Sequence, residues 1–267
     1  MKRSAHSCTK CPASGKTKGA GQPLIRLDGV CKNFDRAALI DVHLHVPENC
    51  LFGLIGPGAS GKSLLLRMIT GLMRPDRGTI TVGGRDVLTM GDMQLHEYRK
   101  GIGMLFQNNA LFDFMTVAEN IAFPLRRLFD LSEEEIAARV AERLGRVDLA
   151  GFEGRLPAGL SGGQKKRVGV ARATVSQAPI VLYDEPAAGL DPVTSQKIFD
   201  LLRAEQREKK ATVVMVSSDL DRLLTVTDRV GMMLGGRLIF EGTTEEAQNA
   251  SDPRVYQFVH GKVDGPL

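Results

Sequence analysis

The stretch Gly56-Pro57-Gly58-Ala59-Ser60-Gly61-Lys62-Ser63 decides the fold. It fits the pattern GxxxxGK[ST], follows the apolar run Leu51–Ile55, which predicts a buried strand, and precedes a helical pattern that runs from Lys62 to about residue 72. A glycine-rich turn in this context can point successive backbone N–H groups at phosphate oxygens, and the helix N-terminus adds positive potential. We expect Lys62 to reach the β- and γ-phosphates and Ser63 to ligate Mg²⁺. The stretch therefore predicts a nucleoside triphosphate site.

A pair of acidic residues follows a second apolar run. The segment Ile180-Val181-Leu182-Tyr183-Asp184-Glu185 predicts a buried strand that ends in two carboxylates. Beside a phosphate-binding loop, Asp184 is expected to hold Mg²⁺, and Glu185 is expected to polarise the attacking water as a general base. An acidic pair after a strand is common by itself, but together with the phosphate loop it indicates hydrolysis of the nucleotide.

Strands and helices alternate in the second half of the chain. The pattern predicts a helix at about 162–176, a strand at Ile180–Tyr183, a helix at about 193–209, a strand at Thr212–Val216 and a short helix from Asp219. Such alternation implies a mostly parallel sheet with helices on its faces.

Two other regions have a different character. Antiparallel β structure is predicted in three places. Two β segments lie between Leu24 and Val46, and a hairpin at Gly83–Gly84 joins Thr79–Val82 to Val87–Leu88. A second hairpin at Gly235–Gly236 joins Val230–Leu234 to Leu238–Phe240. Residues 116–160 are helical in pattern, and Ser132 and Glu135 stand at the spacing of a capping box.

The sequence Leu160-Ser161-Gly162-Gly163-Gln164 resembles the LSGGQ signature of ABC ATPases, and it lies just upstream of the Asp-Glu strand as in that family. The resemblance spans about residues 24–242. It implies the α/β fold of P-loop NTPases in its ABC form, with a mostly parallel core sheet, an antiparallel β part and an inserted helical subdomain. It also implies that ATP and Mg²⁺ are the cofactors. The signature would bind the γ-phosphate held by a second copy of the chain, in a head-to-tail homodimer.

Other positions match the family in order. Gln107 matches the glutamine that senses the γ-phosphate and Mg²⁺, and Asp191 lies in Gly189-Leu190-Asp191-Pro192, which matches the loop at the dimer seam. Phe34 stands where the family places an aromatic ring against adenine, although a core position would also account for it.

A narrower resemblance concerns the segment from Leu105 to Leu125 (LFQNNALFDFMTVAENIAFPL) and the C-terminal stretch from Ser251 to Phe258. Both are similar to the ATPases of MCE-associated, Mla-type phospholipid trafficking. The resemblance implies an integral-membrane permease, a small regulatory subunit and an MCE-domain protein as partners, and a position on the cytoplasmic face of the bacterial inner membrane. The alternative is the ATPase of another ABC importer with similar apolar helices.

One position departs from the family. The segment Val216-Ser217-Ser218-Asp219 has Ser218 where family members usually have a histidine that contacts the γ-phosphate. A serine is shorter and carries no positive charge near pH 7, so slow hydrolysis is expected. An ATP-gated binding or regulatory subunit is therefore the alternative function.

Charge and length exclude other classes. The chain has 267 residues and a net charge of +4, yet residues 1–22 contain five basic and no acidic side chains, which leaves the rest near neutral. A nucleic-acid-binding face is therefore not expected, and the helical insert is too short for the coiled coil of DNA-repair relatives. We divide the chain into a disordered basic tail (1–22), a nucleotide-binding domain (23–242, with the helical subdomain at about 116–160 and onward through the LSGGQ helix) and a C-terminal extension (243–267).

Overall fold

A computed structural model describes residues 23–267; the predicted basic tail lies outside them. Strands in this part of the chain are β1 (Pro23–Asn33), β2 (Ala37–Pro47), β3 (Leu51–Ile55), β4 (Arg77–Val82), β5 (Arg85–Asp86), β6 (Ile102–Leu105), β7 (Ile180–Asp184), β8 (Thr212–Val216), β9 (Arg229–Leu234) and β10 (Arg237–Thr243). Helices are α1 (Lys62–Ile69), α2 (Asp92–Lys100), α3 (Val117–Leu128), α4 (Glu133–Arg146), α5 (Gly162–Thr174), α6 (Pro192–Lys209), α7 (Leu220–Val226), α8 (Thr244–Gln248) and α9 (Pro253–Val259).

The strands form two sheets. An antiparallel sheet has the order β2-β1-β4-β5, and a second sheet has the order β10-β9-β3-β8-β7-β6. All pairs of the second sheet are parallel except β10 with β9. The predicted α/β fold with a mostly parallel core sheet and an antiparallel β part is confirmed. Because the carboxyl ends of parallel strands meet at one edge, the segments after β3, β7 and β8 converge there.

Two hydrophobic cores lie on the two faces of the parallel sheet. Tyr183 contributes to one core and Phe52 to the other, and both side chains are almost fully buried. Helices α3 and α4 cover the core that contains Tyr183, which is why their apolar positions recur at helical spacing. Ala247 in α8 and Val255 in α9 are buried in this same core.

Helix starts follow the predicted capping chemistry. The Ser132 hydroxyl accepts a hydrogen bond from the Glu135 amide, and the Glu135 carboxylate accepts one from the Ser132 amide, which confirms the capping box at α4. Within residues 23–267, none of the helices combines the length and the apolar content needed to cross a bilayer.

The first hairpin differs from the prediction. Val87 and Leu88 were expected in a strand, but residues 87–89 form a 3₁₀ turn because the Asp86 carboxylate accepts a hydrogen bond from the Leu88 amide and ends β5. Helix α1 ends at Ile69, short of the expected residue 72. Neither α2 nor β6 was predicted, because α2 is mostly polar and is anchored by the single buried side chain of Tyr98.

Candidate functional site

The loop between β3 and α1 is shaped by glycines. Gly56 has φ +136°, and a Cβ atom there would lie 2.0 Å from the Met233 backbone oxygen; Gly61 has φ +104°, and its Cβ would lie 2.5 Å from a Leu39 methyl group. Only glycine fits such backbone conformations against such close neighbours. Ala59 is also in the left-handed region, at φ +57°. The loop is therefore a fixed turn that leads directly into the N-terminus of α1.

The side chain of Lys62 folds back over this loop. Its ammonium group donates hydrogen bonds to the carbonyl oxygens of Gly56 and Pro57, both at 2.7 Å, and to the Ser60 hydroxyl at 3.3 Å. Partial burial lowers the pKa of Lys62, whereas the nearby carboxylates of Asp184 and Glu185 act in the opposite direction. The ammonium group is thus held at the mouth of the phosphate-binding turn.

Ser63 and Asp184 meet across the end of the sheet. The Ser63 hydroxyl donates to Asp184 Oδ1 at 2.9 Å, although the residues are 121 positions apart. Burial raises the pKa of Asp184, and the Ser63 hydrogen bond together with the charges of Arg67 and Lys62 opposes that rise. A hydroxyl and a carboxylate oxygen at this distance form the hard oxygen donor set that Mg²⁺ prefers. The residues present therefore fit a magnesium ion bound to nucleotide.

Glu185 lies one residue further on and is strained. Its φ is +54°, which is unusual for a glutamate, and its amide donates to the Val216 carbonyl at 2.9 Å. The Ser218 amide and the Ser218 hydroxyl both donate to Glu185 Oε2, each at 3.0 Å. Ser218 therefore contacts the carboxylate, a contact that the sequence comparison with the usual histidine did not predict. Because both bonds end on Oε2, Oε1 is left to interact with water or substrate.

The LSGGQ segment forms the start of α5. Ser161 is the N-cap: its hydroxyl accepts from the Gln164 amide at 3.3 Å, and Gln164 Oε1 accepts from the Ser161 amide at 2.9 Å. Asp191 caps α6 by accepting from the amides of Val193 and Thr194, and these bonds lower its pKa. Both caps line a 420 Å³ cavity together with Gly162, Gly163, Gly189, Leu190, Arg167 and others.

The signature and the phosphate loop do not touch within the chain. Among residues 23–267, no hydrogen bond joins segment 161–164 to segment 56–63. The predicted site residues thus fall into two groups, one around Ser63, Asp184, Glu185 and Ser218, and one around Ser161 and Asp191.

Gln107 follows β6, and its side chain is exposed. Its backbone carbonyl accepts a 2.6 Å hydrogen bond from Lys166, whose ammonium group also donates to the Glu185 carbonyl at 3.0 Å. Lys166 is only 6% exposed, and burial lowers its pKa. Sequence reasoning missed this residue because two other cations flank it. The signal was its helical spacing, since Lys166, Val170 and Ala173 share the buried face of α5.

Phe34 lies in the turn between β1 and β2. Its side chain is 59% exposed, and Lys32 Nζ lies 5.7 Å from the ring centroid. The exposure excludes the core position that the sequence left open. The ring is free to stack on a planar ligand.

Known proteins resemble the chain along most of its length. The family model described as ABC transporter matches residues 39–188. The Probable ribonucleotide transport ATP-binding protein mkl of Mycobacterium tuberculosis is 37% identical over 244 residues, which cover 91% of this chain and 68% of that protein. The Methionine import ATP-binding protein MetN of Caulobacter vibrioides is 43% identical over 209 residues, covering 78% and 63% respectively.

Solved structures agree with the sequence relatives. The ATP-binding cassette MJ0796, in a dimeric post-hydrolysis state bound to ADP and Pi, superposes with a TM-score of 0.78 at 31% identity, covering 82% of this chain and 98% of that chain. The family model matches more than half of the chain, and the mkl relative is similar over 91% of it. The chain therefore belongs to the ABC transporter family of ATP-binding subunits, which bind ATP with Mg²⁺ and couple its hydrolysis to transport.

Proposed function

We propose that this chain is the ATP-hydrolysing subunit of an ABC transporter that energises phospholipid trafficking across the bacterial envelope, together with an MCE-type system. The observation that carries the ATPase part is the 2.9 Å contact between Ser63 and Asp184, with Lys62 and Glu185 beside it. This contact brings together a phosphate-binding turn, a magnesium donor set and a carboxylate that makes no ion pair with any residue in 23–267.

The residues divide the chemistry among themselves. Lys62 and the amides of Gly58 to Ser63 would bind the β- and γ-phosphates, and Ser63, Asp184 and Gln107 would hold Mg²⁺. When bound there, the ion would offset the negative charge of the phosphate oxygens. Glu185 orients the attacking water through Oε1, while Ser218 fixes its other oxygen. Phe34 stacks on the adenine ring.

A second copy of the chain completes the site. Ser161, Gly162, Gly163 and Gln164 offer a hydroxyl and a helix N-terminus for the γ-phosphate held by the other copy, and Asp191 lies at the seam. Two observations support this head-to-tail homodimer. The signature cavity is separate from the phosphate loop in one chain, and the similar cassette MJ0796 is dimeric. Closure on two ATP molecules and opening after phosphate release would then drive the transporter.

An apolar groove is our candidate for permease docking on the cytoplasmic face of the inner membrane. It has a volume of 320 Å³ and is lined by Met104, Phe106, Phe112, Phe123, Leu128 and Arg172, among others. Phe114 beside it is 78% exposed. Leu111, Phe112 and Met115, the other apolar side chains of this segment, are only partly exposed, so Phe114 is the strongest candidate for the contact.

The docking proposal can be tested by co-purification. Phe114→Asp is expected to weaken binding of the permease by about 30-fold or more and so to lower its recovery, because an anchor side chain of an interface typically contributes 2 kcal/mol or more. Met93→Asp is the matched control, since Met93 is 85% exposed on α2, away from the groove. Equal recovery with both variants would contradict the proposed docking site.

Phospholipid as cargo rests on the resemblance of segment 105–125 and of segment 251–258 to Mla-type ATPases. The relatives are named for ribonucleotide transport and for methionine import, and these are the competing cargoes. The test uses the chain co-purified with its permease, regulatory subunit and MCE-domain protein, reconstituted in vesicles with a fluorescent phospholipid. ATP-dependent lipid transfer that Glu185→Gln abolishes supports the proposal. Stimulation of ATPase activity by a ribonucleotide or methionine, without lipid transfer, would refute it.

A nucleotide-gated binding subunit is the second candidate, and Ser218 favours it. Its side chain contacts Glu185 rather than offering a cation to phosphate. Steady-state hydrolysis by the purified complex separates the two functions. Tight ATP binding with less than about one turnover per minute would favour the gated subunit, since typical enzyme turnover is about 10 per second.

A further inference from the structure

Side chains of helix α5 donate hydrogen bonds to the backbone carbonyls of the loop that follows β6. Lys166 donates to the Gln107 carbonyl at 2.6 Å, and Arg172, further along the helix, donates to the carbonyls of Asn109 and Ala110, the latter at 2.8 Å. Both cations are substantially buried, which lowers the pKa of each. A buried ammonium or guanidinium group must be compensated, and here backbone carbonyls supply the compensation.

The loop needs to be held. Asn109 and Ala110 have φ values of +60° and +48°, and a left-handed conformation costs an alanine about 1 kcal/mol or more. The helix also approaches closely at Gly169, where a Cβ atom would lie 2.6 Å from a Leu105 methyl group. Loop and helix therefore pack as one unit, and the strained conformation depends on the contacts from α5.

Lys166 has a second attachment. Its ammonium group donates to the carbonyl of Glu185 at 3.0 Å, so one side chain holds the backbone of both Gln107 and Glu185. Glu185 is strained as well, with φ +54°. Lys166 is 6% exposed. One of its acceptors, Gln107, lies 59 positions earlier in the chain, and the other, Glu185, lies 19 positions later.

From this geometry we infer that Lys166 is a positioning residue, which ties the Gln107 loop and Glu185 to the helix that begins with the LSGGQ segment. The inference rests on the ATPase function proposed above. Its consequence is that a shift of α5 on binding the partner's nucleotide moves Gln107 and Glu185 with it. Lys166 touches neither nucleotide nor water in this role, and acts through the backbone of the two residues that do.

The experiment compares Lys166→Met, Lys166→Arg and Lys165→Met. Methionine keeps the length of the side chain and removes the donors, arginine keeps the charge and the donors, and Lys165 is the neighbouring helix residue whose side chain makes no hydrogen bond or ion pair with residues 23–267. The dissociation constant for ATP, kcat for phosphate release and amide hydrogen exchange are measured for each variant and for the parent.

Lys166→Met is expected to lower kcat by about 10- to 100-fold, because small misplacement of reacting groups costs about that much. ATP affinity should change by less than about threefold, since the phosphate loop is untouched. Exchange should accelerate in segments 106–110 and 184–186 and stay unchanged elsewhere. Lys166→Arg should recover most of the rate, and Lys165→Met should match the parent in all three measurements.

Two results would overturn the inference: a Lys166→Met protein with parental kcat and parental exchange, or one whose exchange rises throughout the chain, which would show a merely structural role. A parent protein that binds ATP but does not hydrolyse it contradicts the proposed ATPase function instead. In that case the exchange pattern still decides whether Lys166 holds the two segments together.

Discussion

Replacing Ser218 with histidine tests how the chain accommodates its departure from the family. In the structure the Ser218 hydroxyl and amide both donate to Glu185 Oε2 at 3.0 Å. The substitution removes the hydroxyl bond and leaves the amide bond, because the amide belongs to the backbone. It also introduces an imidazole, the group that the family usually places against the γ-phosphate.

The two effects have opposite signs, and their sizes can be compared. Losing a hydrogen bond to a charged group costs about 1.5–3 kcal/mol, and the lower end applies because Ser218 is exposed, which corresponds to about a tenfold loss in rate. Gaining one preorganised contact to the transferring phosphate is worth about 10²–10³ in rate. We therefore expect Ser218→His to raise kcat by about 10- to 100-fold. Ser218→Ala isolates the first effect and should lower kcat by about tenfold.

The assay is phosphate release from Mg·ATP by the chain in complex with its membrane partner, with parallel measurement of ATP affinity and of the melting temperature. Ser218→Ala should bind ATP like the parent, because the hydrogen bonds of Ser218 are to Glu185 and not to the phosphate loop, and Ser218→His should bind ATP at least as tightly. A folded, ATP-bound Ser218→His protein that hydrolyses no faster than the parent would refute the reasoning. A Ser218→Ala protein at the parental rate would show that the serine does not orient Glu185.

Three further predictions concern stability. Gly56→Ala should destabilise the fold by about 3 kcal/mol or more, because the added Cβ would lie 2.0 Å from a β9 carbonyl oxygen. Gly58→Ala is the control, since a Cβ there meets nothing within 4 Å. Equal effects of the two variants in thermal melting would contradict this prediction. Burial raises the pKa of the Cys50 thiol to about 12, so the free energy of unfolding in urea should fall as the pH rises above about 9, where the unfolded thiol ionises. Cys50→Ala should reduce this pH dependence. An equal slope in both proteins would be contrary evidence. Arg143 and Glu205 form a buried ion pair at 2.5 Å, so Arg143→Met should lower the free energy of unfolding, measured by chemical denaturation, by about 3–5 kcal/mol. The double variant with Glu205→Leu should recover part of that loss. A larger loss in the double variant would show that the uncompensated charge of Glu205 is not the cause.

The fold was predictable where local chemistry and tertiary packing agree. The phosphate loop, the strand before Asp184 and the α4 capping box are short patterns whose geometry follows from their own residues, and the structure has each of them. Helix α2 was missed because its one buried side chain, Tyr98, donates from its hydroxyl to the Ile69 carbonyl, a contact between distant segments. Strand β6 has only four residues, too few for a clear sequence pattern, and it is stabilised by its parallel pairing with β7.

The residues of the site were easier to predict than their contacts. Ser63 and Asp184 were expected to share an ion, and the structure places them 2.9 Å apart. Ser218 was expected to be a shorter, uncharged replacement for a histidine that contacts phosphate. Its contact with Glu185 depends on where β8 ends relative to β7 in the sheet, and neither segment alone determines that register. Lys166 is one of three consecutive basic residues, and its burial distinguishes it from Lys165 and Arg167.

A single physical arrangement recurs at this edge of the sheet. Lys62 and Arg172 each donate to two backbone carbonyls of one loop, and Lys166 donates to one carbonyl in each of two loops. Loops at the ends of parallel strands leave such carbonyls without sheet partners, and the loops here also contain non-glycine residues with positive φ. Cationic side chains satisfy these carbonyls and hold the strained backbone in place at the same time. Of the three, Lys62 lies on the phosphate-binding turn itself. Because its ammonium group is already bonded to that backbone, its positive charge is positioned before the nucleotide arrives, which is the condition for electrostatic stabilisation of a transition state.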